Sequence, residues 1–388
     1  MSTFGPAVLT GEISEKLARL QKLMQEKQYV GICLALAHNF AWITGGLADN
    51  QIAHSSEVGS ATLVILRDGR KFVVAAHSEV PRLMDQALEE LGYEPIETKW
   101  YAPGGSLSGQ LGVSGTMGSD VPRKDCVVAD IARLRRELTE TEIQKYESAG
   151  RQCAEAVAEV TRQVRPGMTE RQIETMTANA LMQHGLRPTV LLIGSDERIY
   201  RYRHCLPSDK PVRKYAMVNV CARRWGLVVS TTRFIHFGPL DGELRNRLRA
   251  AAIVHANYLA ALRPGRRAAD IFESAKKWYA EQGFPGEWEF HHQGGGTGYK
   301  EREYILLPDS AEVVFEHEAF AFNPTVQGAK VEDTVIAFPD RVENITTLAD
   351  WPAINVVVDG KSYGCPDILI HGGPQTEWKD PAAPVKVD

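Results

Sequence analysis

Three short stretches of this chain concentrate side chains that can do chemistry. Arg203-His204-Cys205 sets an imidazole beside a thiol. His291-His292-Gln293 runs into Gly294-Gly295-Gly296-Thr297-Gly298, with Tyr299, Lys300, Arg302 and Glu303 close behind. Val331-Glu332-Asp333-Thr334 carries neighbouring carboxylates. Near neutral pH an imidazole can take a proton from water and later give it to a leaving nitrogen. A carboxylate can orient a cationic substrate or stabilise an imidazolium. His291 or His292 with Glu303 and Glu332 is a conceivable mononuclear metal site, set against the plainer reading of a hydrogen-bonded surface pair. Cys205 is a poor nucleophile candidate, because strand neighbours point to opposite faces and His204 would not reach it. The glycine run lies far from the N-terminus and no helix pattern follows it, which argues against a dinucleotide loop.

The elements that must position these groups follow from periodicity and turn signals. Ile13 to Lys27 has helical spacing, with Leu17, Leu20 and Leu23 on one face. Val30 to Leu36 is an apolar run of strand length. Ala61 to Leu66 and Lys71 to Ala76 flank an Asp68-Gly69 hairpin turn. Val80 to Leu91 reads as helix, and the Gly/Ser-rich stretch from Gly104 to Gly118 as a loop with a short strand around Leu111 to Val113. Thr139 with Glu142, three residues on, starts a long helix, and Thr169 starts another that ends near Gly185. Strand signals follow at Thr189 to Ile193, Tyr215 to Cys221 and Leu227 to Phe234. Helices fit Gly242 to Leu262 and Ala268 to Gln282, and Val331 to Ala337 is again strand-like.

The 388 residues suggest two domains. A net charge of -5 leaves no footprint for nucleic acid. Six cysteines without a C-x-x-C pair fit reduced thiols in a cytoplasmic protein. Neither a signal peptide nor a membrane span is expected.

Several segments, in order, resemble the pita-bread hydrolases, the creatinase, prolidase and aminopeptidase-P superfamily. They are His38 to Gly45 (HNFAWITG), Val164 to Gly185 (VRPGMTERQIETMTANALMQHG), Val218 to Gly238, Gly294 to Glu303 and Phe322 to Val335. The resemblance implies an α+β fold: a creatinase-type α/β N-terminal domain over 1–137, a pita-bread domain over 138–378, and a frayed tail over 379–388. The family's peptidases hold two divalent metals with two Asp, one His and two Glu. Matched residue by residue, those positions are Asn219, Ser230, Gly295, Asn323 and Glu332 here, so one carboxylate remains and a dinuclear cluster is not expected. His204 matches a substrate-contacting His that serves as proton shuttle in metal-free creatinase. Arg302 stands where the family has a second His, a fixed charge suited to a carboxylate-bearing substrate.

The expected function is therefore a metal-independent hydrolase of a C–N bond in a small amide or amidine metabolite. His204 and Glu332 would be catalytic, and Asn219, Ser230, Arg233, Asn323, Arg302, Glu303 and His292 would bind substrate. No metal and no cofactor are expected. The alternatives are a non-catalytic binding module and a metal-dependent Xaa-Pro dipeptidase or aminopeptidase with atypical ligands. The expected partner is a small-molecule substrate, not nucleic acid or membrane. The resemblance further implies a homodimer, in which Trp42, Asn50 and His54 could reach a neighbour's site.

Overall fold

The two capping signals form as reciprocal boxes in the computed structural model, which describes residues 6–102 and 106–372. Thr139 Oγ1 accepts the Glu142 N–H at 3.2 Å, and the Glu142 carboxylate accepts the Thr139 N–H at 2.8 Å. These bonds satisfy donors that an uncapped first turn would leave open, and launch the Glu140–Gln163 helix. Thr169 and Gln172 repeat the arrangement ahead of the Glu170–Gln183 helix.

Contacts divide the chain into two units, Met1–Ile143 with Trp225–Leu227, and Gln144–Arg224 with Val228–Asp388. The first is α/β. Its six-stranded sheet runs in the order Glu94–Thr98, Lys71–Ala76, Val58–Leu66, Gly31–Leu36, Met117–Ser119 and Cys126–Val128. The hairpin turns at Gly69, whose φ of +96° is open to glycine at no steric cost. The expected strand near Leu111 is instead a short helix, Leu107–Leu111. Ser106 caps it by accepting the Gly109 N–H, Gly112 ends it in the left-handed region, and the strand comes later at Met117–Ser119.

Trp42 and Asn50 are not poised to reach a second subunit. Both are fully buried, and the Asn50 amide donates to the carbonyls of Ala35 (3.1 Å) and Ala61 (2.9 Å) inside its own unit. Only His54 is exposed.

The second unit is a mixed β-sheet domain with helices. One four-stranded sheet contains Arg187–Ser195, Tyr215–Arg224, Leu227–Phe237 and Leu369–His371. Another contains Gly294–Thr297, Glu318–Phe322, Thr334–Ala337 and Val342–Asn344. The helix Gly242–Ala261 is buried along most of its length, and Tyr258 stacks on Phe322 with ring centroids 4.5 Å apart. The architecture is thus α+β. No helix among the described residues is long and apolar enough to cross a membrane. The tail at 379–388 lies outside the described residues.

Candidate metal centre and adjoining charged pocket

His204 is carried by a loop that two buried acids hold at its ends. Asp196 adopts φ +50°, an unusual conformation for a side-chain-bearing residue, and its carboxylate accepts the N–H groups of Arg213, Lys214 and Tyr215 at 2.8–3.1 Å. Glu170, fully buried, accepts from the Ser195 hydroxyl (2.7 Å) and from the Ser208 hydroxyl (2.6 Å) and N–H (3.0 Å). Between these anchors His204 faces outward while Cys205 turns into the core. Burial pushes the Cys205 thiol up to about 11, which leaves it protonated and unreactive near neutrality.

His291 and His292 leave the short Glu287–Phe290 turn and enter the Gly294–Thr297 strand. Gln293 fixes this junction: its side-chain oxygen accepts from the hydroxyls of Tyr258 and Tyr279, both at 3.0 Å. Gly294 sits at φ +88°. A Cβ at Gly295 would run into the Tyr304 carbonyl oxygen, and one at Gly296 into the Tyr304 ring. The position where the family sets a His therefore has no room for one.

Three imidazoles converge here. The ligand atoms of His204, His291 and His292 all lie within 4.8 Å of one another. His204 Nε2 and His291 Nε2 are 3.2 Å apart. The Thr325 hydroxyl donates to the Asn323 carbonyl at 2.9 Å, so it accepts from His291 Nδ1 at 3.1 Å. That bond places the His291 proton on Nδ1 and leaves the Nε2 lone pair facing His204. Burial, reinforced by the Lys330 charge, lowers His291 to about 2. Burial, reinforced by Arg302, lowers His292 to about 4. Burial also lowers His204. The rings are thus neutral at physiological pH, the state in which imidazole binds metal. The alternative set of one His with Glu303 and Glu332 does not form. The Glu303 carboxylate accepts the Tyr299 N–H in its own loop at 3.1 Å, and Glu332 is engaged elsewhere.

Glu332 is the centre of a second, contiguous cluster. Its Oε2 receives Lys330 Nζ (2.6 Å), the Thr232 hydroxyl (2.7 Å) and the Asn219 amide (2.7 Å). Its Oε1 receives Arg302 at 3.1 Å. Burial pushes the carboxyl upward, but Lys330 and Arg302 outweigh it and hold the group at about 2. Asn323 joins the two clusters, accepting from Arg302 at 3.1 Å while its amide stands 3.4 Å from His292 Nδ1. Ser230 lies at the edge, 3.5 Å from Arg302. Arg233 turns away, pairing with buried Asp333 at 2.8 Å and donating to the Thr346 carbonyl at 2.7 Å. Lys330 is absent from the expected set. Its signal was its spacing, two residues before Glu332, where extended backbone puts both side chains on one face.

Residues 144–337, half of the chain, match the model of metallopeptidase family M24. The chain belongs to this family, the pita-bread superfamily. Among M24 relatives, the probable dipeptidase PepE of Mycobacterium tuberculosis is 27% identical over 248 residues, 62% of this chain and 64% of the relative. The matched stretch thus spans less than two thirds of that protein. The crystal structure of dipeptidase PepE from Mycobacterium ulcerans superposes with a TM-score of 0.73 at 18% identity, covering 93% of this chain and 98% of that one. The Xaa-Pro dipeptidase from Bacillus anthracis gives 0.71 at 18%, covering 92% and 100%. These likenesses establish the shared M24 fold.

The expectation of a metal-independent, creatinase-like hydrolase is corrected by these findings. The family is one of metallopeptidases, and two residues expected to act without metal, His204 and His292, cluster with His291 as a ligand set.

Proposed function

We propose that this M24 protein is a metal-dependent peptidase with atypical ligands, which hydrolyses the C–N bond of a small peptide and holds one divalent ion on His204, His291 and His292. The observation that carries this is the convergence of three neutral imidazoles. Two nitrogens bound tetrahedrally to zinc at 2.0–2.1 Å stand about 3.3 Å apart. The separation of 3.2 Å between His204 Nε2 and His291 Nε2 fits that spacing. The family's carboxylate-bridged pair fits poorly. Asn219, Ser230, Gly295 and Asn323 offer no carboxylate or imidazole, and the contacts to Glu332 already occupy both its oxygens. This member has therefore exchanged most of the usual ligands for an imidazole set. When bound, a divalent ion polarises a carbonyl and lowers the pKa of a water.

The chain's own groups have separable tasks in this reading. Thr325 orients His291, Asn323 stands between His292 and Arg302, and Glu332 is a positioning residue for Arg302 and Lys330. Arg233 supports the Glu332–Asp333 segment through Asp333. The ligands of relatives named Xaa-Pro dipeptidase or dipeptidase make a dipeptide with C-terminal proline the first substrate to try.

The test is metal content after incubation with zinc, cobalt or manganese and desalting, alongside hydrolysis of glycyl-proline. About one ion per chain, with hydrolysis lost on chelation and restored by metal, is expected. A chain that retains no ion of any of the three would sink the proposal. Thr325→Val is expected to weaken metal affinity about 10- to 100-fold, the usual cost of removing a partner that orients a ligating His. Titration against a chromogenic chelator reads this directly.

A further inference from the structure

Glu332 faces two cations where one would balance it. Lys330, Arg302 and Glu332 have side chains only 7%, 13% and 3% exposed. The adjacent acid, Asp333, is already matched by Arg233. Glu303 spends an oxygen on its own loop. The cluster thus carries one more positive than negative charge in a poorly solvated place, where unmatched charge is costly.

A second observation has the same direction. The Nε–H of Arg302 is buried and has no acceptor among the described residues. Its two terminal nitrogens are occupied, one by Glu332 and Asn323, the other by the Glu301 carbonyl at 2.5 Å and the Ser230 hydroxyl. A buried donor left open on an otherwise saturated guanidinium calls for an explanation, and an arriving acceptor supplies one. Asn323 fixes where that acceptor would lie, because it touches both Arg302 and His292.

We propose that Arg302 and Lys330 form an anion subsite beside the imidazole triad, in which the Arg302 Nε–H receives one singly charged oxygen group of the ligand. One net positive charge matches a monoanion, and charge-assisted hydrogen bonds to guanidinium are the strong kind. Two sources offer that chemistry: the free carboxylate of a peptide substrate, or the oxyanion that develops on its scissile carbonyl. This inference takes its ligand class from the proposed peptidase reading.

Isothermal titration of the zinc-treated full chain separates the sources, using glycyl-proline, glycyl-prolinamide and the phosphinate isostere of glycyl-proline as probes. Wild type is expected to favour the acid over the amide, or the phosphinate over the acid, by roughly tenfold or more. The first preference assigns the carboxylate, the second the oxyanion. Arg302→Gln should flatten that preference, and Arg302→Lys, which keeps the charge and the pairing with Glu332, should retain part of it. The ion count should be the same in all three. Absence of either preference in wild type, or its persistence in Arg302→Gln, would overturn the subsite. A chain that holds no ion yet discriminates through Arg302 would remove the metal reading and leave this one standing.

Discussion

His291→Ala is expected to strip the bound ion and take glycyl-proline hydrolysis to background, with the fold retained. His291 is the buried member of the triad and the one whose tautomer is set, by Thr325 at 3.1 Å. Removing a group that merely orients a ligating His typically costs 10- to 100-fold in metal affinity, so removing the ligand itself should cost more than about 100-fold. The imidazole has no buried charge to leave behind, so the loss should not extend to the core. Metal analysis and circular dichroism on the same sample check both halves. An Ala variant that keeps its ion would reassign the centre. His204→Ala and His292→Ala, at the exposed positions, should show the same loss to a smaller extent.

Glu332→Ala should have the largest effect on stability, lowering it by about 3–5 kcal/mol through the two buried cations it leaves unmatched. Glu332→Gln keeps some of the hydrogen bonds and should fall between. The carboxyl is held at about 2 in the folded chain against an ordinary 4.5, because Lys330 and Arg302 outweigh the burial that opposes them. A group depressed in the folded state stabilises fully above its unfolded pKa and loses that contribution as pH falls through its folded one. Wild type should therefore lose stability between about pH 4.5 and 2 in excess of Glu332→Ala. Urea unfolding across that window measures the difference, and parallel curves would mean that Glu332 does not carry the charge balance.

Local signals were legible and distant ones were not. The boxes at Thr139 and Thr169 and the Asp68-Gly69 turn are written within four residues, and they form as read. The strand near Leu111 was misplaced because an apolar run of that length suits either element, and Ser106 and Gly112 decided for helix. Trp42 and Asn50 were misjudged because polarity does not disclose burial: a buried Asn whose amide meets two carbonyls looks in sequence like a surface one. His204 and the His291-His292 pair were each marked, but 87 positions separate His204 from His291, and nothing in either stretch says that they meet. The α+β class and the superfamily were legible because ordered motif fragments survive even where their ligands have changed.

The crowding at Gly295 and Gly296 bears on how this site relates to its relatives over evolutionary time. With the Tyr304 carbonyl and ring against those two glycines, a single codon change cannot restore the missing His. The loop through Tyr304 must move first, and that loop also carries Arg302. The exchange of ligands behaves as a ratchet: each step back toward an ordinary family centre passes through a chain that packs worse than the one it leaves. Conversion toward a relative's site would need the 295–305 segment transplanted whole.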